Sequence, residues 1–357
     1  MKVLLTGAFG NVGMSALEEL LGRGHRVRCL DLKTRSNERT ARRYGSRIEV
    51  TWGDLRREAD VATAVRGQEV VVHLAFVIPK LSATGLNSED DPERSRAINV
   101  GGTQNLIEAM KAQPTPPRIL FSSSLHVYGR TQHLPPPRTV ADLPAPIEHY
   151  AHHKVECEQM IMSSGLTWAI FRLGAALPVR LILDPGMYEV PLNNRIEFVH
   201  TRDVGLAIAN ALETEEVWGR MWLIGGGPRC QILQKDLTWS VLETIGLGRL
   251  PEEAFTNVPY PVDWLDTGES ERVLHFQRHT LDDYLKDIRT KLGLGRHLIR
   301  LFRPVVRGIL LSQSAVLRER KAGRSHAALQ GKAAVVIGAR EESARRLPRS
   351  WHEPESR

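Results

Sequence analysis

Short apolar runs alternate with amphipathic stretches through the first half of the chain. Lys2–Thr6 is an apolar run, and residues 12–23 then place Val12, Ala16, Leu17, Leu20 and Leu21 on one helical face. Runs at 27–32, 48–52, 70–75, 118–122 and 167–172 predict further strands, and the patterns at 59–65, 94–111 and 150–163 predict helices. In the 94–111 segment the apolar positions are Ala97, Ile98, Leu106, Ile107 and Met110. Near-continuous apolar strands between helices indicate a sheet buried on both faces, so the expected class is α/β, a Rossmann-type doubly wound parallel sheet.

The rhythm changes after residue 175. Residues 176–295 hold scattered pieces, with helices at 203–213, 234–245 and 281–292 and a strand at 221–224. That is too little for an independent doubly wound domain. The expected organisation is a dinucleotide-binding domain over 1–175, a smaller substrate lobe over 176–295 with inserts back into the sheet domain, and a basic extension over 296–357, partly disordered. Trp218, Trp222, Trp239 and Trp264 read as packing residues, and the proline-rich stretch 134–137 as a loop near the site.

Composition adds little to this. In 357 residues, 42% are hydrophobic and 25% charged, ordinary globular values that exclude a fibrous or wholly disordered chain. The formal charge of +7 is uneven: residues 296–357 carry 14 Lys/Arg and 5 Asp/Glu, and the first 295 residues are nearly balanced. The basic balance therefore belongs to the tail and does not mark the main body as a specific nucleic-acid binder. Cys29, Cys157 and Cys230 lie far apart without metal-ligand spacing, so neither a disulfide framework nor a metal site is expected. The opening residues form no signal-peptide pattern and no spanning segment is evident, which makes the cytoplasm the expected address.

The first chemical motif follows the first strand. Thr6-Gly7-Ala8-Phe9-Gly10-Asn11-Val12-Gly13 has glycines spaced GxxGxxG and leads into a helix. Gly7 permits the tight turn, Gly10 lets backbone approach a pyrophosphate, and Gly13 lets helix pack on strand, with helix N-terminal amides facing the phosphates. Asp31 ends the second strand, where a carboxylate can accept the adenosine ribose hydroxyls and repel a 2′-phosphate. That favours NAD over NADP, although Lys33 and Arg35 follow closely. Asp54, followed by Leu55, is placed after the third strand to meet the adenine amino group.

The second motif is Tyr150-Ala151-His152-His153-Lys154, a YxxxK pair 26 residues after a strand tipped by Ser122-Ser123-Ser124. On a helix the phenol and ammonium share one face. The lysine, aided by a positively charged nicotinamide, is expected to lower the tyrosine pKa so that the phenol exchanges a proton with a substrate hydroxyl. A serine at the strand tip can hold the reacting oxygen, and His126 is a candidate lining residue.

With these motifs in this order, the chain resembles the extended short-chain dehydrogenase/reductases, the NAD-dependent epimerase/dehydratase family. The resemblance covers residues 1 to about 292 and also rests on His73-Leu74-Ala75, Asn99-Val100-Gly101-Gly102-Thr103, Ser122–Gly129 and Phe198-Val199-His200-Thr201-Arg202-Asp203-Val204. It implies a catalytic triad of Ser124, Tyr150 and Lys154, with Leu74 and Ala75 against the cofactor and Asn99 bracing the loop between strand and helix. It makes His200 and Asp203 structural, with Asp203 as a helix N-cap. It also implies a homodimer through the helices near 95–111 and 150–163, for which Met110 and Met160 are adaptable apolar residues. Only 26 positions separate Arg172 from Phe198, where nucleotide-sugar members carry a longer segment. A smaller sugar acid, a hydroxy or keto compound, or a hydrophobic alcohol fits better. The net reaction can be oxidoreduction, epimerisation or dehydration. The alternative is a non-catalytic NAD-binding sensor or scaffold, although such proteins usually lose the tyrosine or lysine.

Two stretches of the extension stand out. Residues 297–311 space Arg300, Arg303 and Arg307 helically among apolar residues. Weak membrane-surface contact, packing on the body or a partner, and a frayed end are the alternatives, and Pro304 and Gly308 are expected to weaken the helix. Residues 331–339 resemble the opening strand and turn of another dinucleotide-binding domain, cut short. Residues 313–357 are expected to be dispensable for cofactor binding and chemistry.

Overall fold

The computed structural model describes residues 1–79, 85–179 and 185–321. Seven strands form one sheet: β1 (Lys2–Thr6), β2 (Arg26–Asp31), β3 (Ile48–Trp52), β4 (Val70–His73), β5 (Arg118–Ser124), β6 (Trp168–Leu173) and, after a short β7 (Arg195–Glu197), β8 (Arg220–Ile224). Their order is β3-β2-β1-β4-β5-β6-β8, and every pairing is parallel. The strand order reverses between β1 and β4, where Thr6 lies beside His73. In an open α/β sheet, ligands bind in the crevice outside the strand ends at such a point.

Alternation along the strands explains the double burial. Val3, Leu5, Val27, Val70 and Val72 join one core with Ala16, Leu17 and Leu20 of α1 (Asn11–Gly22) and Val204, Ala207 and Ile208 of α7 (Thr201–Leu212). Leu4, Leu30, Val71, Ile119 and Phe121 point the other way. They pack on α3 (Glu58–Val65), α5 (Gly102–Lys111) and α6 (His149–Met162) through Val61, Leu106, Met110, Cys157 and Ile161. The sheet domain therefore takes back α7 and β8 from the second half of the chain.

Helix α9 (Gly268–Leu274) packs on the sheet domain through Leu274, and three more helices build the lobe: α8 (Gln234–Thr244), α10 (Leu281–Leu292) and α11 (Gly295–Leu301). They are joined by α12 (Arg303–Ser312), α13 (Ala315–Lys321) and a two-stranded antiparallel pair of β7 with β9 (Gln231–Leu233). Trp222 and Trp239 are buried packing residues, as expected.

Several expectations need correction. The helix expected at 94–111 is interrupted: α4 (Pro92–Arg96) widens into a π-helical turn at Ala97–Gly101 before α5 begins. Helix α2 (Arg35–Arg42) was not foreseen, because it buries none of its residues and so shows no apolar period. Asp203 does not cap α7. His200 does, accepting from the Arg202 amide, while the Asp203 carboxylate reaches back to the Arg278 and His279 amides and the His279 ring. Met110 is fully buried within its own subunit and is not available to a partner. Pro304 does not weaken a helix interior: it falls in the first turn of α12, where its missing N–H costs nothing. The extension is helical to residue 321 and anchored, since Ser314 donates to the Ala254 carbonyl at 2.7 Å and Val316 is buried. A cut after Ser312 would thus remove packed structure. Residues 331–339 lie outside the described residues. No helix among the described residues is long and apolar enough to cross a membrane.

Candidate active site

At the switch point the glycine loop forms a cradle of bare backbone. Gly7 adopts a φ of +67°, and a Cβ there would lie 2.8 Å from the Ala75 backbone. A Cβ on Gly13 would run into the Gly7 and Ala8 carbonyl groups, so α1 approaches the loop only because both positions are glycine. Gly10 precedes α1 without any side-chain cap, which leaves the first amides of the helix unclaimed by side chains. Asn11, expected to touch cofactor, lines the cavity but donates its side-chain amide to the Ala176 carbonyl at 3.0 Å, tying loop to lobe.

Asp31 lies at the end of β2 with its carboxylate positioned by the Phe9 amide at 3.0 Å, the Leu32 amide at 2.8 Å and the Asn37 side chain at 3.1 Å. Burial raises its pKa, and the two backbone amides oppose that. Lys33 and Arg35 are exposed and do not line the cavity. Asp54 and Leu55 both line it. The Asp54 carboxylate is gripped by Arg56, which holds its pKa low.

Between the loop and the reacting end runs a directional chain of buried hydrogen bonds. Thr103 donates to the Asn99 carbonyl at 2.6 Å, so its oxygen accepts from His73 Nε2 at 3.0 Å. His73 Nδ1 then accepts from Thr6 Oγ1 at 2.8 Å, and Thr6 Oγ1 in turn accepts from the Leu74 and Ala75 amides at 3.1 Å. His73 is held neutral, its pKa pushed down to about 3 by burial first and then by Lys154. Leu74 and Ala75 line the cavity; Asn99 does not. Its side chain clamps Val77 from both ends, accepting from the amide at 2.7 Å and donating to the carbonyl at 3.0 Å. Asn99 thus ties the loop after β4 to the π-helical turn.

Ser124, at the end of β5, and Tyr150 and Lys154, on α6, are all buried and converge on one cavity wall. Ser124 hydrogen-bonds Tyr150, which works against the burial that raises the phenol to about 12. Lys154 is fixed by other partners in the cofactor-free chain. Its Nζ donates to the Ser122 carbonyl at 2.5 Å and lies over the Phe76 ring at 3.5 Å, against 5.8 Å for the Tyr150 ring. Desolvation there brings the ammonium down to about 7.

Two residues near Tyr150 carry no sequence signal for their roles. Glu89 accepts from the His149 and Tyr150 amides, both at 3.0 Å, and so caps α6 from a loop 61 residues upstream. The Glu148 carboxylate accepts from His126 Nδ1 at 2.7 Å, and the His126 ring stands edge-on to Tyr150 at 5.7 Å and to Tyr260 at 5.6 Å. His126 lines the cavity, as expected.

The cavity has a volume of about 1010 Å³ and runs from Asp31 and Asp54 past the triad into the lobe. Its lobe side is formed by residues such as Leu177, Met187, Val190, Leu237, Val241 and Val262, with Gln234, Thr238 and Tyr260 the chief polar groups. Among the described residues, no Lys, Arg, Asp or Glu of the lobe lines it. No cluster of His, Cys, Asp and Glu able to hold a metal occurs among the described residues.

Comparison with known proteins bears on this geometry. A model of the NAD dependent epimerase/dehydratase family matches residues 3–177. A UDP-glucose 4-epimerase of Klebsiella pneumoniae is 37% identical over 142 residues, which cover 38% of this chain and 97% of that protein. The chain belongs to the NAD-dependent epimerase/dehydratase family. A 3-beta-hydroxysteroid dehydrogenase of Mycolicibacterium neoaurum is 34% identical over 108 residues, 30% of this chain and 28% of that protein. The match thus spans under a third of that relative's length. Among solved structures, UDP-glucose-4-epimerase from Stenotrophomonas maltophila with bound NAD and formylated UDP-arabinopyranose superposes with a TM-score of 0.67. It is 22% identical, with 83% of this chain and 99% of that one covered. This likeness supports the fold.

Proposed function

We propose that the protein is an NAD-dependent oxidoreductase that moves a hydride at the carbinol carbon of a bulky apolar alcohol or ketone. The observation that carries this reading is the juxtaposition of Ser124, Tyr150 and Lys154 with a lobe wall free of charged side chains among the described residues. The cradle fits a dinucleotide: bare glycine backbone and open α1 amides suit a pyrophosphate, and the half-buried Asp31 carboxylate suits two ribose hydroxyls and opposes a 2′-phosphate.

NAD, when bound, supplies the hydride acceptor and a positive charge beside the reacting carbon. The protein's own groups do the rest. The Ser124 hydroxyl orients the substrate oxygen, and Tyr150 Oη takes the hydroxyl proton as the carbon loses its hydride; reduction reverses both transfers. Lys154 is placed behind them, fixed by the Ser122 carbonyl and the Phe76 face, to hold ribose and bias the phenol toward ionisation once the cofactor's charge is present. A nucleotide diphosphate in the lobe would need cations there, and the described residues of the lobe wall offer none.

The test is a substrate panel followed by NADH absorbance. Polycyclic and long-chain secondary alcohols are expected to reduce NAD, and UDP-glucose is not. Turnover of UDP-sugars with no turnover of apolar alcohols would overturn the substrate class. Tight NAD binding with no turnover of any class would favour a sensor or scaffold.

A further inference from the structure

We infer that α11 and α12 form a membrane-surface docking element that lies flat on anionic lipid. The two helices have two apolar faces where a body-packing segment needs one. Ile299, Val306, Leu310 and Leu311 turn inward onto the lobe core. Arg307 fixes that orientation by donating to the Leu247 and Gly248 carbonyls at 3.1 and 3.4 Å. The opposite stripe, Leu294, Leu298, Leu301, Phe302, Val305 and Ile309, is 55–82% exposed. These six fall at helical spacing on one side and are a large share of the big apolar side chains exposed among the described residues. A monomeric soluble protein rarely leaves such a contiguous stripe uncovered.

Charge decides between occupants. Residues 295–321 contain seven Lys or Arg and a single acid, Glu319. Arg300 and Arg303 are exposed, with the Arg300 stem against Gly246 and the Arg303 guanidinium against Gly248 of the lobe. A second copy docked through this face would bring two strongly positive surfaces together, which is unfavourable. An anionic bilayer surface takes both features at once, with the apolar stripe among the upper acyl chains and the segment's net positive charge drawn toward the headgroups. Residues 322–357 add seven more basic residues against four acidic ones. The location is also apt, because α11 rests against the end of α8, close to Gly246, and α8 supplies Leu237, Val241 and Leu242 to the cavity wall. The inference stands whatever the substrate proves to be.

The experiment is co-sedimentation of the full chain with vesicles of phosphatidylcholine alone or mixed equally with phosphatidylglycerol. Binding is expected to the anionic vesicles and to weaken with salt. Two variants separate the terms: Leu298→Gln/Phe302→Gln/Val305→Gln removes apolar contact, and Arg300→Gln/Arg303→Gln removes charge. Each is expected to lower the partition coefficient at least tenfold while leaving NAD affinity, read by fluorescence titration, unchanged. Because all five positions are exposed, folding should survive, and retained NAD binding reports that it has. Equal binding to neutral vesicles, no binding at all, or binding untouched by the apolar triple variant would overturn the inference. So would a dimer that the triple variant dissolves, since that would make a second copy the occupant.

Discussion

Asp31 and Lys154 carry the residue-scale consequences. Asp31 is half-buried and positioned by two amides, so its charge acts at short range on whatever occupies the ribose site. The protein is expected to bind NAD at least tenfold more tightly than NADP, and Asp31→Ser should narrow that ratio mainly by improving NADP. Paired titrations check this; an unchanged ratio would remove Asp31 from the site. Lys154 is brought down to about 7 from an ordinary value of 10.5. Above pH 7 the unfolded chain then holds a proton on this lysine that the folded one has released. Stability gained from this group therefore grows as pH rises through 7 toward 9 and is absent below the folded value. In the cofactor-free protein, the thermal midpoint of wild type relative to Lys154→Met should rise over that window. A difference that is flat with pH would mean the ammonium stays charged when folded. The residues of this site were largely legible in the sequence, since glycine spacing and a YxxxK pair are short-range patterns. The direction of Lys154 was not: its turn toward Ser122 and Phe76 depends on strands and loops far away in the chain.

The helix that presents Tyr150 has an unusual start, which matters at the scale of the element. Its N-cap residue Glu148 makes no capping hydrogen bond, and Glu89 supplies two acceptors from another loop. Glu89→Ala should cost about 1 kcal/mol, the usual worth of a helix cap, and lower kcat more than it raises KM, because Tyr150 itself loses its amide anchor. Calorimetry and steady-state kinetics check both; an unchanged kcat would limit Glu89 to stability. Cross-chain caps of this kind leave no local trace, which is why Glu89 was not foreseen. Helix α2 was missed for the opposite reason, having no apolar face to read. The strands were the easiest elements to find, because burial on both faces gives unbroken apolar runs such as Val70–His73.

The whole molecule joins a sheet domain that was predictable in outline to a lobe and extension that were not. The lobe is assembled from distant pieces: Glu197 of β7 accepts from the Leu265 amide and the Gln231 side chain, contacts that no periodicity announces. Truncation after Lys321 should leave NAD affinity and the thermal midpoint nearly unchanged, whereas truncation after Ser312 strips Ser314 and Val316 from their places and should lower the midpoint by several degrees. Equal midpoints would show that α13 contributes nothing. Met110 is internal, so a dimer through α5 and α6 would draw its apolar contact from half-buried residues such as Met160 and Met162 of α6. Light scattering at micromolar concentration is expected to give the mass of the dimer, and a monomeric mass would remove the contact.

The claim on which these rest is that Tyr150 exchanges the proton of a hydroxyl substrate. It is tested most directly by Tyr150→Phe, which removes one oxygen from a side chain already packed against Phe76 and His126. With an alcohol identified from the panel, the variant is predicted to lose at least a hundredfold in the rate of NADH formation in a single turnover. Its NAD affinity should remain within threefold of wild type. A variant that binds NAD and reduces it at the wild-type rate would contradict the account.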